Sequence, residues 1–389
     1  MPPLPIETRL REELADLANQ GLARRRRLLE SPCAPRAVVE GREMLAFASN
    51  DYLGLAAHPE LAQALADGAL TWGAGSGASH LVSGHLGPHD LLEQRLAAFT
   101  GFARALTFST GYLANLAVTP TLAPGRDDAI FADKLNHASL IDAAQLSRAR
   151  HHRYPHNEMA ALERLLAASD ARSKVIVTDA VFSMDGDLAP LTELFALAER
   201  FDAWLVVDDA HGFGVLGPHG EGSLAHCGIP AHPRVILMGT LGKAAGVGGA
   251  FVAGSELAMD YLLQKARSYI FTTAQPPAVA AALVKSVELI AAGDARRAHL
   301  QALIRQLQEG LAGLPWQLLP SQTAIQPLIV GDNEAALTLS RALWERDLWV
   351  AAIRPPTVPA GTARLRISLS AAHSPADVGS LVEALKALA

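Results

Sequence analysis

Beyond residue 45 the chain alternates short β-branched or apolar runs with longer stretches in which apolar residues recur every three or four positions. In MAALERLLAAS, Met159, Leu162, Leu165 and Leu166 share one helical face. Three other runs, KVIVTDAVFSMDGD from Lys174, AWLVVDDAHGFGVLG from Ala203 and RVILMGTLGKAAGVGG from Arg234, each pass from a continuous apolar strand into a loop of Asp, Ser, Thr or Gly. Unbroken apolar strands alternating with helices predict an α/β protein, with a mostly parallel sheet covered by helices. From Glu7 to Glu30 the pattern is a charged amphipathic helix, broken by Ser31-Pro32-Cys33-Ala34-Pro35. After about residue 285 come an alanine- and leucine-rich helix, the strand-like TAIQPLIV, another helix, LWVAAI, RLRISLS, and a last helix with Val378, Leu381, Val382 and Leu385 on one face. The expected division is an N-terminal helical arm (1–45), a large domain (46–285) and a smaller C-terminal α+β domain (286–389).

Composition narrows the partner. The formal charge of −6 over 389 residues and a pI near 6.2 create no field that would gather nucleic acid or anionic lipid, so a small molecule is expected. The first thirty residues are charged, including the run Arg24 to Arg27, and lack the apolar core of a signal peptide. No apolar run approaches the ~20 residues of a membrane helix. Two cysteines, Cys33 and Cys227, offer neither a disulfide framework nor a zinc site. These features point to a cytoplasmic protein.

In an open parallel sheet, ligands bind outside the carboxyl ends of the strands. The three loops therefore converge, carrying Asp179 and Ser183, then Asp208, Asp209 and His211, then Thr240 and Lys243. An acid following four buried strand residues needs a cationic partner to offset its desolvation. Lys243 is one candidate for Asp208. A protonated pyridine nitrogen is another, and it leaves the lysine free to form a Schiff base with the neighbouring aldehyde, as pyridoxal phosphate (PLP) requires. FSTGYLANLA, from Phe108, sets Gly111 at the start of a helical run, where backbone amides and the helix dipole suit a phosphate. Thr240 adds a hydroxyl. Gly239, Gly242, Ala244 and Ala245 are read as clearance around the amine of Lys243.

Competing readings fit less well. The P-loop template fails at Leu237 and Ala244. The glycine run Gly73 to Gly84 invites a dinucleotide and an oxidoreductase, yet lacks full GxGxxG spacing and a preceding strand. Asp208 and Asp209 are adjacent on a strand, so they face opposite sides and do not share a metal ion. His137 opens a helix in KLNHASLIDA, where it either caps the helix or stacks on a flat ring.

The segments SNDYLGLAAHPE, GSGASHLVSGHLGPHDLLE, LNHASLIDAAQLSRAR, VFSMDGDLAPL, VDDAHGFGVLGPHGEG and GTLGKAAGVGG, in that order, resemble the α-oxoamine synthases, PLP enzymes of the aspartate aminotransferase fold. The resemblance implies that Lys243 is the Schiff-base lysine, Asp208 the partner of the pyridine nitrogen, His211 and Ser183 donors to the ring hydroxyl oxygen, and His137 the stacking ring. It implies Gly111, Tyr112 and Thr240 at the phosphate, with Thr272 and Thr273 reaching it from the other subunit of a homodimer. Arg354 and Asn50 meet the amino-acid carboxylate with Thr357 close by, Arg24 faces the acyl substrate, and Asp179 stands where relatives often carry glutamate. The stretch AIRPPTVPAGTARLRISLSAAH is similar to members that condense L-alanine with a pimeloyl thioester of CoA or acyl carrier protein, releasing carbon dioxide; other members use another amino acid and acyl-CoA.

Overall fold

The computed structural model describes residues 5–389. At its start α1 (Pro5–Asn19) buries no side chain and stops well short of Glu30. Gly21 lies at φ 65, Leu22 N–H donates to the Leu17 carbonyl at 2.8 Å, and Gly21 N–H to Ala18 at 3.0 Å. This is a Schellman ending, in which a left-handed glycine satisfies the carbonyls of the last turn. Charge periodicity continued past Gly21, but the turn geometry won. β1 (Arg36–Val39) and β2 (Arg42–Ala46) then form a hairpin.

The glycine run lies between α2 (Pro59–Trp72) and α3 (Gly87–Thr100) and is irregular apart from one π-helical turn at His80–Gly84. It follows a helix, so it has no strand-to-helix turn for a dinucleotide. The chain continues through β3 (Arg104–Phe108), α4 (Gly111–Leu122), β4 (Ala129–Asp133), α5 (Ala138–Leu146), β5 (Arg150–Tyr154), β6 (Lys174–Asp179), β7 (Ala203–Asp208), β8 (Val235–Thr240) and β9 (Ala250–Gly254). These strands make one sheet in the order β3-β9-β8-β7-β6-β4-β5. Only β9 runs against its neighbours. Val175, Ile176 and Val177, like Leu205, Val206 and Val207, are fully buried, because helices cover both faces of the sheet. Register sets Asp179 beside Asp208 and Asp208 beside Met238, which gathers the acids at the carboxyl edge.

Helices Pro277–Ala291 and Asp294–Leu311 lead into β10 (Gln317–Leu318), β11 (Ile325–Gly331), helix Asn333–Trp344, β12 (Leu348–Trp349), β13 (Ala351–Ile353), β14 (Ala363–Ser368) and helix Pro375–Lys386. β10-β11-β14-β13 is an antiparallel sheet. Val378, Leu381, Val382 and Leu385 are all buried. Helix Pro277–Ala291 passes through residue 285 and packs on α2 and α3. β12 pairs in parallel with β2, Leu348 opposite Leu45, so the end of the arm is joined to the C-terminal part. Among the described residues no helix is long and apolar enough to cross a membrane.

Candidate active site

Four loops at the carboxyl edge meet around Lys243. Its Nζ lies 2.9 Å from His211 Nε2, and His211 Nδ1 lies 2.6 Å from the Tyr52 hydroxyl. Burial lowers the Lys243 ammonium to about 8, with Arg366 adding to the effect and Asp208 and Asp179 opposing it. Burial, then the charges of Lys243, Arg366 and His137, hold His211 well below the usual histidine range. A neutral imidazole therefore faces an amine whose proton is readily lost.

Asp208 is 3% exposed. Its Oδ1 accepts Ala210 N–H at 3.0 Å and its Oδ2 accepts Asn115 Nδ2 at 2.7 Å. Lys243 bonds to His211 rather than to Asp208, and no cation among the described residues forms a salt bridge with this carboxylate. A buried carboxylate held only by neutral donors fits a protonated pyridine nitrogen. Asn115 also has a buried Oδ1 without a partner. Asp209, on the other side of the strand, accepts Ser223 N–H at 2.8 Å and the Ser223 hydroxyl, so the two aspartates serve different surroundings.

His137 is the N-cap of α5, its Nδ1 accepting Ser139 N–H at 3.2 Å. Asn115 Nδ2 reaches Ser139 Oγ at 2.9 Å as well as Asp208, tying the His137 turn to the acid. Burial, reinforced by Lys243, lowers the His137 pKa against the pull of Asp208. Asp179 Oδ2 accepts the backbone N–H of His137 at 2.7 Å. Its contact is thus with the chain. Burial, then the neighbouring Asp208, raises its pKa well above the carboxylate range.

At the expected phosphate end, α4 begins at Gly111 with Thr110 capping Leu113 N–H at 3.2 Å. A Cβ at Gly111 would meet Met238 and Thr240 at 3.6–3.8 Å, so the helix start and Thr240 adjoin. Tyr112 donates to Asp142. Thr272 is half-buried and Thr273 exposed, beside Phe271, which is 71% exposed.

The glycines of the lysine loop serve its packing more than the amine's clearance, which corrects the sequence reading. A Cβ at Gly239 would come within 2.3 Å of the Phe251 ring, and one at Gly246 within 2.6 Å of Leu55. Gly242 and Gly248 are open, the nearest neighbours of Gly242 lying 3.8 Å or more away and none lying within 4 Å of Gly248.

Asn50 Oδ1 accepts Tyr52 Oη at 3.0 Å and Arg366 Nη1 at 3.1 Å. Arg366 also donates to the Ser183 carbonyl at 2.6 Å. Arg354 is held elsewhere, donating to the Gly21 carbonyl. With Arg24 and Thr357 it lines a cavity of about 650 Å³ between the arm and Ala352–Thr357, walled by Leu14, Leu17 and Leu22. Arg25 and Arg27 both pair with Glu40, which leaves Arg24 as the cavity's arginine in the run of four. Tyr52, Asn115 and Arg366 were missed by sequence reading. For Asn115 inside FSTGYLANLA and Arg366 between the strand residues Leu365 and Ile367 the signal was a polar side chain in an apolar setting, whereas Tyr52, following Ser49, Asn50 and Asp51, offered none.

Fold and site together define a class. A profile for class I and II aminotransferases matches residues 42–385, and the chain belongs to that family. It superposes with a TM-score of 0.92 at 31% identity on a structure titled SPT with PLP internal aldimine, covering 97% of this chain and 96% of that one. Within the family the chain belongs with the 8-amino-7-oxononanoate synthases. It is 73% identical to the one from Dechloromonas aromatica, over 99% of this chain and all of that protein. It is 64% identical to the one from Herminiimonas arsenicoxydans, over 98% and 99%. The crystal structure of the synthase from Francisella tularensis matches at 32% identity with a TM-score of 0.77, covering 89% and 97%.

Proposed function

We propose that the chain makes 8-amino-7-oxononanoate, for biotin biosynthesis, from L-alanine and a pimeloyl thioester of CoA or acyl carrier protein. A carbon–carbon bond forms between the alanine α-carbon and the thioester carbonyl carbon, the carbon–sulfur bond breaks to free the thiol, and the alanine carboxylate leaves as carbon dioxide. The observation that supports this reading is the pair of half-buried Lys243 and neutral His211 at 2.9 Å, beside the buried carboxylate of Asp208, which forms no salt bridge among the described residues.

PLP, when bound, supplies an electron sink for the carbanion at the amino acid's α-carbon. Asp208 keeps the ring nitrogen protonated, and its low exposure makes that interaction strong. Lys243 would hold the aldehyde and serve as the base for the α-proton; a pKa near 8 leaves part of the amine neutral at working pH. His137 would stack on the ring, and His211 and Ser183 would serve its hydroxyl oxygen. Gly111, Tyr112 and Thr240, with Thr272 and Thr273 of a second copy, hold the phosphate. Asp179 acts by fixing His137. Asn50 and Arg354 receive the amino-acid carboxylate, which requires Arg354 to release Gly21. The cavity lined by Arg24 and Thr357 takes the acyl chain, its leucines suiting the methylenes and its arginines a terminal carboxylate.

A homodimer accords with the large apolar side chains left exposed at Leu70, Val82 and Phe271. The same reading keeps the three-part division of arm, cofactor part and C-terminal part, and a cytoplasmic location. The test is a panel of acetyl-, succinyl-, pimeloyl- and palmitoyl-thioesters against alanine, glycine and serine: turnover concentrated on pimeloyl thioester with alanine supports the reading, and its absence there refutes it.

A further inference from the structure

His156 stands outside this constellation, yet both of its ring nitrogens face carboxylates. Nδ1 lies 3.0 Å from Asp133 Oδ1 and Nε2 2.8 Å from Asp187 Oδ2. Carboxylates only accept, so a ring that satisfies both must donate from both nitrogens. The edge of Phe182 completes the enclosure, ring centroids 4.4 Å apart at 87°.

Each of these acids also belongs to a loop that enters the active site, Asp133 shaping its loop through the carboxylate and Asp187 through its backbone. Asp133 ends β4, is 1% exposed, and accepts Leu135 N–H at 2.8 Å and Asn157 N–H at 2.9 Å. It thereby sets the course of the chain into Asn136 and His137, and holds Asn157 in a left-handed conformation at φ 55. Asp187 closes the hairpin that carries Ser183. Phe182 N–H donates to the Asp187 carbonyl at 3.0 Å, Gly186 N–H to the Phe182 carbonyl at 2.8 Å, and Val181 bridges Leu188. Asn157 Nδ2 reaches Asp187 Oδ2 at 3.0 Å. Asp133 and Asp187 are the charged groups facing the ring, and with a neutral side chain between them the buried Asp133 would lose its counter-charge.

We propose that His156, as an imidazolium hydrogen-bonded on both sides, is a positioning residue that locks together the loop presenting His137 and the loop presenting Ser183. It touches neither substrate nor cofactor and acts through those two residues. The proposal rests on the functional reading above only for what His137 and Ser183 do. Burial works against the charge, but hydrogen bonds from both aspartates and their charges overcome it and push the pKa up to about 10.

The experiment uses the holoenzyme and the variants His156→Gln, Asp187→Asn and their double. His156→Gln is expected to lower kcat by about tenfold or more at saturating PLP, since small misplacements of catalytic groups carry costs of that size, and to change the circular dichroism of bound PLP. The double variant is expected to recover only part of the loss, because it removes the facing Asp187 charge but leaves the buried Asp133 without its counter-charge. Unchanged kcat and dichroism in His156→Gln, or a lowered Tm with kcat unchanged, overturns the proposal. If the variant fails to fold, nitrogen-15 histidine spectra of the wild type decide. One ring, assigned through its contact with Phe182, is expected to hold protons on both nitrogens at pH 8.5, and a neutral ring there overturns the clamp. A wild type that takes up no PLP would instead sink the functional reading while leaving the spectra to judge the clamp.

Discussion

At the scale of the residue, the decisive features are protonation states set by burial. Lys243→Ala is expected to abolish turnover and to leave no borohydride-fixed label, because it removes anchor and base together; residual normal turnover would refute its role. Asp208→Asn is expected to weaken PLP binding and lower kcat by about 10²-fold or more, since a preorganised charge is lost in a dry site, as titration with PLP and steady-state rates would report. The lysine also has a linkage consequence. Its folded pKa, about 8, is below its ordinary value, so the folded apo-protein binds fewer protons than the unfolded chain between about 8 and the ordinary lysine range. Stability therefore rises with pH across that window. Lys243→Met is expected to raise the Tm of the apo-protein at pH 7, and the gain is expected to shrink as pH climbs above 8. Lys243, Asp208 and His211 were legible from sequence because each follows an apolar strand directly. Asn115 and Tyr52 were not, since their importance lies in bonds to residues far along the chain: Asn115 to Asp208 and Ser139, Tyr52 to His211.

At the scale of the element, strands and helices were readable where burial was uniform and unreadable where backbone turns decided. β6, β7 and β8 coincide with the three apolar runs because helices cover both faces, leaving no polar alternation to confuse the period. The arm misled, because its charges repeat past Gly21 while the helix ends there. The lysine loop misled differently: small residues invite an account in terms of space for a ligand, yet Gly239 yields to Phe251 and Gly246 to Leu55. The two explanations separate by mutation. Gly239→Ala is expected to destabilise the protein by about 1–3 kcal/mol, the range of overpacking, whereas Gly242→Ala is expected to leave Tm unchanged. Thermal melts of the two variants check this, and equal effects would restore the clearance reading for the whole loop.

At the scale of the molecule, Phe271 stands exposed beside Thr272 and Thr273, so the proposed function is expected to join assembly to cofactor binding. Phe271→Asp is expected to halve the particle mass in sedimentation and to weaken PLP binding with it; a monomer that binds PLP as tightly as the parent would separate the two. Such coupling was beyond the reach of sequence periodicity, which reports what one chain buries within itself. The pairing of β2 with β12 has a consequence for synthesis. Leu45 leaves the ribosome early and its partner Leu348 near the end, and at roughly 5–20 residues per second the wait is on the order of 15–60 s. During that time β2 has an open edge, the kind of surface on which nascent chains stick to one another. A slowly translated message, or one truncated before Trp349, is therefore expected to release chains that aggregate through their N-terminal hairpin.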